Sequence, residues 1–307
     1  MLHTVYYDPA FDDERIRSEI YDGQLIVFSP TAASNALAAF AREMLEDAFA
    51  PYHPTEAQYH MTVEKFVEIF APVKPAFIHH PKTMGLIRDV FDQMGCDLDQ
   101  WFIDVPRYRG VTSDGYLTTG VGYAHHPHRD TWFSAPMAQI NWWMALYPYE
   151  TSASMAYHPA YFDKPVANES DEFNYYEWNA TGRKDAAKMI GKDTRKQPHA
   201  TEPIEMEPHV RLVTSPGSLQ GFSGAHLHTT MANVSGKARF SLDFRTVHLG
   251  DLRNGRSAPN VDSHSTGTSL RDFRRASDLA PMPDDVVDQY DVGAKNDDAV
   301  LVFSPDA

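Results

Sequence analysis

The hydrophobic period of this chain changes once, near Trp101, and that change limits its fold more than any other feature. Upstream, apolar residues recur every three to four positions, the spacing of helices with one buried face. In SPTAASNALAAFAREMLEDAF, Ser29 is placed to cap, Pro30 suits the first helical position, and Leu37, Phe40, Met44 and Ala48 form the stripe. Thr62 caps a second helix through Val63, Phe66, Val67 and Phe70, with Pro72 as its stop. A third runs from Thr83 through Ile87, Phe91 and Met94 to Gly95. YDGQLIVF (21–28) reads as a short strand entered through an Asp-Gly turn. Downstream the period becomes two. WFIDVPRY, LTTGVGY, AQINWWMAL, SMAYH, VRLVT, SLQGF and ARFSLDFRTV are short, aromatic and β-branched, and punctuated by Gly, Pro, Ser or Asp. Helices first and many short strands afterwards predict a mainly β sandwich or barrel with helices on its outside, and argue against alternating βαβ units.

At 307 residues the chain fits one elaborated domain, 1–307: a helical layer over 1–100, a β core over 101–248, and a tail over 249–307. Residues 164–206 are polar and strand-poor, which predicts a long insertion between strands, either a lid or partner contact or a solvated surface excursion. The tail is arginine-rich and then acidic; it can wrap the domain or mediate a homodimer. A net charge of −15 repels phosphate backbones and anionic lipid, so neither nucleic acid nor a membrane surface is an expected partner. No run approaches 18 apolar residues, the start is acidic without an apolar segment, and Cys96 is the one cysteine, which together predict a cytoplasmic protein.

HHPHRD (125–130) places three histidines, an arginine and an aspartate in six positions amid strand-like sequence. In extended chain, residues at i and i+2 share a face, so His128 and Asp130 can approach one metal ion. A third ligand must come from elsewhere, and His226 and His228 are the candidates. Two imidazoles and one carboxylate suit non-haem Fe(II), leaving positions open for a cosubstrate and dioxygen. Alone, H-x-D also describes a hydrogen-bonded structural pair. ARFSLDFR alternates strictly, with Phe240, Leu242 and Phe244 on one side and Arg239, Ser241, Asp243 and Arg245 on the other. Turned inward, Arg239 with Ser241 would clamp a carboxylate; turned outward, the same row is an ordinary solvated sheet face.

The ordered set is H-x-D, a histidine 100 residues on (His228), Asn233 five residues after it, and Arg239-x-Ser241 eleven after it. It resembles the Fe(II)/2-oxoglutarate-dependent dioxygenases, specifically the phytanoyl-CoA-dioxygenase-like branch, over about residues 100–248, and the preceding helices resemble that branch's opening. The resemblance implies a double-stranded β-helix, a cupin-like jelly roll with flanking helices. It implies His128, Asp130 and His228 as iron ligands, Arg239 on the distal carboxylate of 2-oxoglutarate with Ser241 assisting, and Gln139, Asn141 and Trp143 facing the cosubstrate. It further implies hydroxylation of an unactivated C–H bond of a small metabolite or natural-product intermediate, with succinate and CO2 as co-products. Asp130 disfavours halogenation, in which a small residue replaces the carboxylate; desaturation, epoxidation and ring closure share the same oxidant. For the substrate, the aromatics Trp132, Trp142, Trp143, Tyr157 and Tyr161 suggest an apolar wall, and Arg183, Lys184, Lys188 and Lys192 a basic lid over an anionic molecule, with Arg245 either a further candidate or a salt-bridged strand residue. A zinc hydrolase using the same three ligands and a non-enzymatic cupin-like binding protein are the competing readings.

Overall fold

The computed structural model describes residues 3–122, 126–296, 299–300 and 303–304. The chain opens with strand β1 (Val5–Tyr7), helix α1 (Asp13–Tyr21) and strand β2 (Leu25–Phe28), followed by helices α2 (Ala32–Phe49), α3 (Val63–Ile78) and α4 (Thr83–Gln93). Strand 21–28 is shorter than expected, because α1 runs to Tyr21 and Gly23, at φ +83°, turns the chain from helix into strand. In α2 the cap is Thr31, in a capping box with Ser34, while Ser29 instead bonds Asp8. Its buried stripe is Leu37, Ala38, Ala41, Leu45 and Phe49; of the expected set only Leu37 is fully covered, so the helix is rotated by about one residue. Thr62 does cap α3, accepting from the Lys65 N–H. The helix nevertheless passes through Pro72 and Pro75 to Ile78, because Phe70, Val73 and Phe77 on either side are buried and packing outweighs two missing N–H donors. Gly95, at φ +77°, stops α4 as expected.

The β region begins with β3 (Trp101–Ile103), β4 (Arg107–Val111), β5 (Ile140–Ala145), β6 (Met155–Tyr157), β7 (Val210–Arg211), β8 (Leu219–Ser223), β9 (His228–Thr230) and β10 (Arg239–His248). A short helix α5 (Tyr175–Glu177) lies within 164–206, and α6 (Leu249–Asn254), β11 (Arg274–Arg275) and α7 (Asp284–Tyr290) follow β10. The large sheet has the order β1-β2-β8-β5-β10-β3-β11, with β4 also paired to β10; a smaller sheet has the order β7-β6-β9. Phe240, Leu242 and Phe244 of β10 face the helices, with Phe240 5.4 Å from Phe70 and Phe244 5.9 Å from Phe91, ring to ring. Each such phenylalanine contributes roughly 1.5–3 kcal/mol by leaving water. The other face meets the smaller sheet through Trp143, Ala145, Met155, Tyr157 and Phe222. That is the alternation of the sequence, resolved as helix-facing and interior-facing sides.

LTTGVGY is not a strand: residues Gly120–Gly122 make a single helical turn, and Tyr123 lies outside the described residues. Gly120 sits at φ +61°, outside the extended region that a strand needs, and a Cβ there would stand 2.3 Å from the Ala186 carbonyl oxygen. Residues 164–206 lie between β6 and β7 as the expected insertion. The tail wraps the fold: β11 pairs with β3, and Leu270, Phe273, Val286 and Val287 join the main core. No helix among the described residues is long and apolar enough to cross a membrane.

Candidate metal centre and its two cavities

His128 and His228 exchange both backbone hydrogen bonds, each 3.0 Å, which brings the H-x-D segment beside the start of β9. Extended backbone at Arg129 then sends His128 and Asp130 the same way, although Asp130 opens a short helical turn (Asp130–Phe133) instead of continuing a strand. The ligand atoms of His128, Asp130 and His228 all lie within 4.8 Å of one another, the one such group among the described residues. The nearer contacts are 3.6 Å and 4.0 Å from the two Nε2 atoms to Asp130 Oδ1. Each imidazole has its Nδ1 on a backbone carbonyl two residues back, His126 O at 2.7 Å and His226 O at 2.9 Å. With Nδ1–H donating, Nε2 presents its lone pair to the shared space, the tautomer a metal needs. Burial and the neighbouring His128 push the His228 pKa down to about 4, which keeps it neutral and ligand-ready. The structure separates the paired histidines, which two residues apart would share a face in an extended strand. His226 points away, its Nε2 2.9 Å from Gly23 O and its ring against Phe162, and His126 is exposed beside His199.

Asp130 divides its two oxygens. Oδ1 faces the imidazoles, while Oδ2 accepts from Gln139 Nε2 at 3.1 Å and Arg245 Nε at 3.1 Å. Burial alone would raise its pKa, but the Arg245 guanidinium and the two imidazoles hold the carboxyl well below its usual range. Arg245 in turn meets Asp104 at 3.4 Å and Asp243 at 3.9 Å, and these carboxylates outweigh the cost of burying its charge. Gln139 also donates to Asn141 Oδ1 at 2.8 Å. Gln139 and Arg245 thus both hold Asp130 in place, Arg245 as the salt-bridged strand residue that was one of its two expected roles, and both also line the larger cavity.

His128 and Asp130 border two cavities, and His228 borders the smaller of them. The smaller, about 60 Å3, is lined by His128, Asp130, His228, Asn141, Trp143, Phe222 and Arg239 among others. Arg239 is 4% exposed, lies with its guanidinium 5.2 Å from the Trp143 ring centre, and leaves Nε and Nη1 without any hydrogen-bond partner. Burial lowers its pKa to about 10. An unpaired guanidinium in a dry interior costs several kcal/mol (of the order seen when a buried ion loses its partner) unless an anion joins it. The Ser241 hydroxyl is likewise buried and unpartnered, though Ser241 does not line the cavity. The pocket therefore fits a carboxylate at one end and a metal at the other.

The larger cavity, about 550 Å3, touches His128 and Asp130 on their other side. Its apolar wall is Phe133, Phe173, Tyr175 and Trp178, and its polar rim includes Arg195 and Ser269. The expected wall differs. Trp132 and Tyr161 belong to a separate buried cluster, Trp142 and Trp143 border the smaller cavity, and Tyr157 borders neither, donating instead to Gln220 at 3.0 Å. Arg183 and Lys184 lie outside the described side chains; Lys188 and Lys192 are exposed and line neither cavity. The insertion does roof the cavity, but through aromatics, for which FNYYEW (173–178) was an unused signal in a polar segment. The cavity's arginines carry carboxylates of their own: Arg107 with Asp104, Arg109 with Asp243, Arg195 with Asp193. Asn233, part of the sequence signature, holds a turn, donating to Val111 O and Lys237 O.

A buried His-Asp-His set beside a carboxylate-sized pocket is the donor arrangement of non-haem iron oxygenases that use a 2-oxo acid. Residues 21–241 match the phytanoyl-CoA dioxygenase (PhyH) family, and the chain belongs to it. It is an Fe(II)- and 2-oxoglutarate-dependent oxygenase, which sets aside the zinc-hydrolase and binding-protein readings. Among solved structures, EvdO2 from Micromonospora carbonacea var. aurantiaca, complexed with 2-oxoglutarate, is similar at 11% identity and TM-score 0.44, over 78% of this chain and 92% of that one. The α-ketoglutarate-dependent epimerase SnoN from nogalamycin biosynthesis is similar at 14% identity and TM-score 0.38, over 76% and 82%. The carbocyclase SnoK from the same biosynthesis is similar at 14% and 0.38, over 81% and 92%. No curated protein sequence matches the chain.

Proposed function

We propose that the chain hydroxylates an unactivated C–H bond of a small metabolite or natural-product intermediate, with His128, Asp130 and His228 as iron ligands and Arg239 as the anchor for the distal carboxylate of 2-oxoglutarate. The observation that carries this reading is the Arg239 guanidinium, buried and unpaired in a cavity whose other end is the three ligand side chains. When bound, Fe(II) with 2-oxoglutarate and dioxygen supplies the oxidation of a substrate C–H bond, with succinate and CO2 as co-products. The protein's part is placement and exclusion. The carbonyls of residues 126 and 226 fix the imidazole tautomers. Gln139 and Arg245 fix the rotation of Asp130. Trp143, Met155 and Phe222 keep the smaller cavity dry around the cosubstrate; Ser241, two residues from Arg239 on the same face of β10, assists it, and Asn141, opposite Arg245, lines the cavity. The substrate occupies the larger cavity, held mainly by the aromatic wall, since the arginines there are already paired with carboxylates.

We read the two facing sheets as a jelly roll within a single domain, 1–307, supported by one core cluster that runs from α1 through the large sheet to α7. A cytoplasmic setting is supported by the free, buried Cys96. The test is oxygen-dependent succinate release with Fe(II) and 2-oxoglutarate, in wild type and His228→Ala, with product mass separating hydroxylation from desaturation, epoxidation or ring closure. Loss of succinate in the variant supports the ligand set; undiminished release would remove it.

A further inference from the structure

Two of the three ligands ride on residues 128–134, and that turn is gripped by a segment of the tail more than a hundred residues away. The Asp262 carboxylate accepts from Arg129 Nε at 3.0 Å and Trp132 Nε1 at 2.8 Å. Ser263 and Ser265 both donate to the Thr131 carbonyl, at 2.5 and 3.1 Å. Ser134 donates its hydroxyl to Thr266 O at 2.7 Å and its N–H to the Ser265 hydroxyl at 3.1 Å, and its carbonyl accepts from Ser269 N at 3.2 Å. Arg129, Trp132 and Asp262 are all essentially inaccessible to solvent.

Arg129 is the central piece. It lies between His128 and Asp130 in extended backbone, so its side chain leaves on the opposite side from theirs. Its remaining donors reach Ala225 O at 2.5 Å, Tyr161 O at 2.5 Å and Lys164 O at 2.9 Å. Ala225 belongs to the loop that leads into His228. One guanidinium therefore ties the segment carrying two ligands to the segment carrying the third, and Asp262 supplies its counter-charge. Val166 N, at 3.0 Å, makes the same carboxylate a contact of the insertion as well.

We propose that Asp262 is a positioning residue for the iron site: with Arg129 it fixes the 128–134 turn against the approach to His228, so that the C-terminal segment sets metal affinity without touching the metal. This rests on the ligand set proposed above. The carboxylate is needed because replacing it leaves a buried guanidinium without its counter-charge, and the relief available to Arg129 is to shift, carrying its neighbours His128 and Asp130 with it.

Co(II) is the probe, titrated into the metal-free full-length protein, with the d–d absorption spectrum and urea unfolding measured in parallel. Asp262→Asn is expected to weaken Co(II) binding by about 10- to 100-fold, the usual effect of losing a group that orients ligands, and to change the d–d spectrum. Asp251→Asn is the control. It breaks a buried pair with Arg17 (2.6 Å) that touches nothing in 128–134, so it should lower the urea midpoint and leave the Co(II) Kd within twofold. A Co(II) Kd and spectrum unchanged in Asp262→Asn, whatever its stability, would overturn the proposal. Should that variant fail to fold, the double change Ser263→Ala/Ser265→Ala removes both hydroxyl bonds to Thr131 O and is expected to weaken Co(II) binding several-fold, with an unchanged Kd again counting against it. His228→Ala separates the two levels: Co(II) binding retained there sinks the ligand set itself, whereas binding lost there but intact in Asp262→Asn sinks only the positioning role.

Discussion

The two cavities that meet at His128 and Asp130 are built from different kinds of chain, and although both are lined by Arg109 and Arg245, each paired with a carboxylate, they differ at Arg239. The smaller is bounded by strands, β5, β8, β9 and β10, and leaves a buried guanidinium with free N–H groups. The larger is bounded on one side by α3 and β4 and roofed by the insertion and the tail, and its arginines each already hold a carboxylate. A buried charge without a partner is costly, and an anionic ligand is one way to supply it. On the proposed function the smaller cavity takes one anionic guest, while the larger presents aromatic surface and shape, features that can vary with the substrate without disturbing the strands.

The contrast is most exposed at Arg239. Arg239→Met should raise the apparent KM for 2-oxoglutarate by about 30-fold or more, the loss of a buried charged partner, while leaving the Tm of the cosubstrate-free protein unchanged or higher, since a buried unpaired charge is gone. A fall in both affinity and Tm would mean that Arg239 has a protein partner and that the two cavities do not differ in this respect. Next in size is the aromatic roof: Trp178→Ala should raise substrate KM roughly tenfold, in line with losing part of a buried aromatic contact, with the Kd for 2-oxoglutarate measured separately and expected to stay near wild type. Equal losses on both would merge the two cavities into one functional unit. The smallest effect is expected from Lys188→Gln/Lys192→Gln. Both side chains are exposed and outside the lining, so substrate KM should move by less than about twofold, as surface charges do; a large rise would restore the basic lid that the sequence suggested.

Arg129 and Arg239 mark where sequence reading succeeds and where it stops. Arg239 was legible because β10 alternates strictly, and once Phe240, Leu242 and Phe244 are placed against the helices, the remaining side chains must face inward. That period cannot choose between His126 and His128 or between His226 and His228, which share a face in extended chain; the sequence favours His128 by its pairing with Asp130 and His228 by its offsets to Asn233 and Arg239, and His128 and His228 are the two whose backbones pair. Arg129 had no such signal. Its partner Asp262 is 133 residues away, in a tail with no periodic pattern, so nothing local announces the contact. The helix stripe in α2 was misread for a related reason: Phe40, Met44 and Ala48 are as apolar as the residues beside them, and only the position of the sheet decides which of two adjacent stripes is covered.

What the sequence determined by itself is whatever backbone geometry repeats at short range: the switch of period at Trp101, the caps at Thr62 and Gly95, the shared face of His128 and Asp130, and the two alternating rows of β10. Tertiary structure alone decided which long-range partners meet. It brought Gln139 and Arg245 to Asp130, replaced the expected tryptophan wall with Phe133, Phe173, Tyr175 and Trp178, and brought Asp262 to Arg129. The physical reason is that periodicity is fixed by dihedral angles residue by residue, whereas a buried charge finds its partner wherever the packed chain excludes water, at any separation along the sequence.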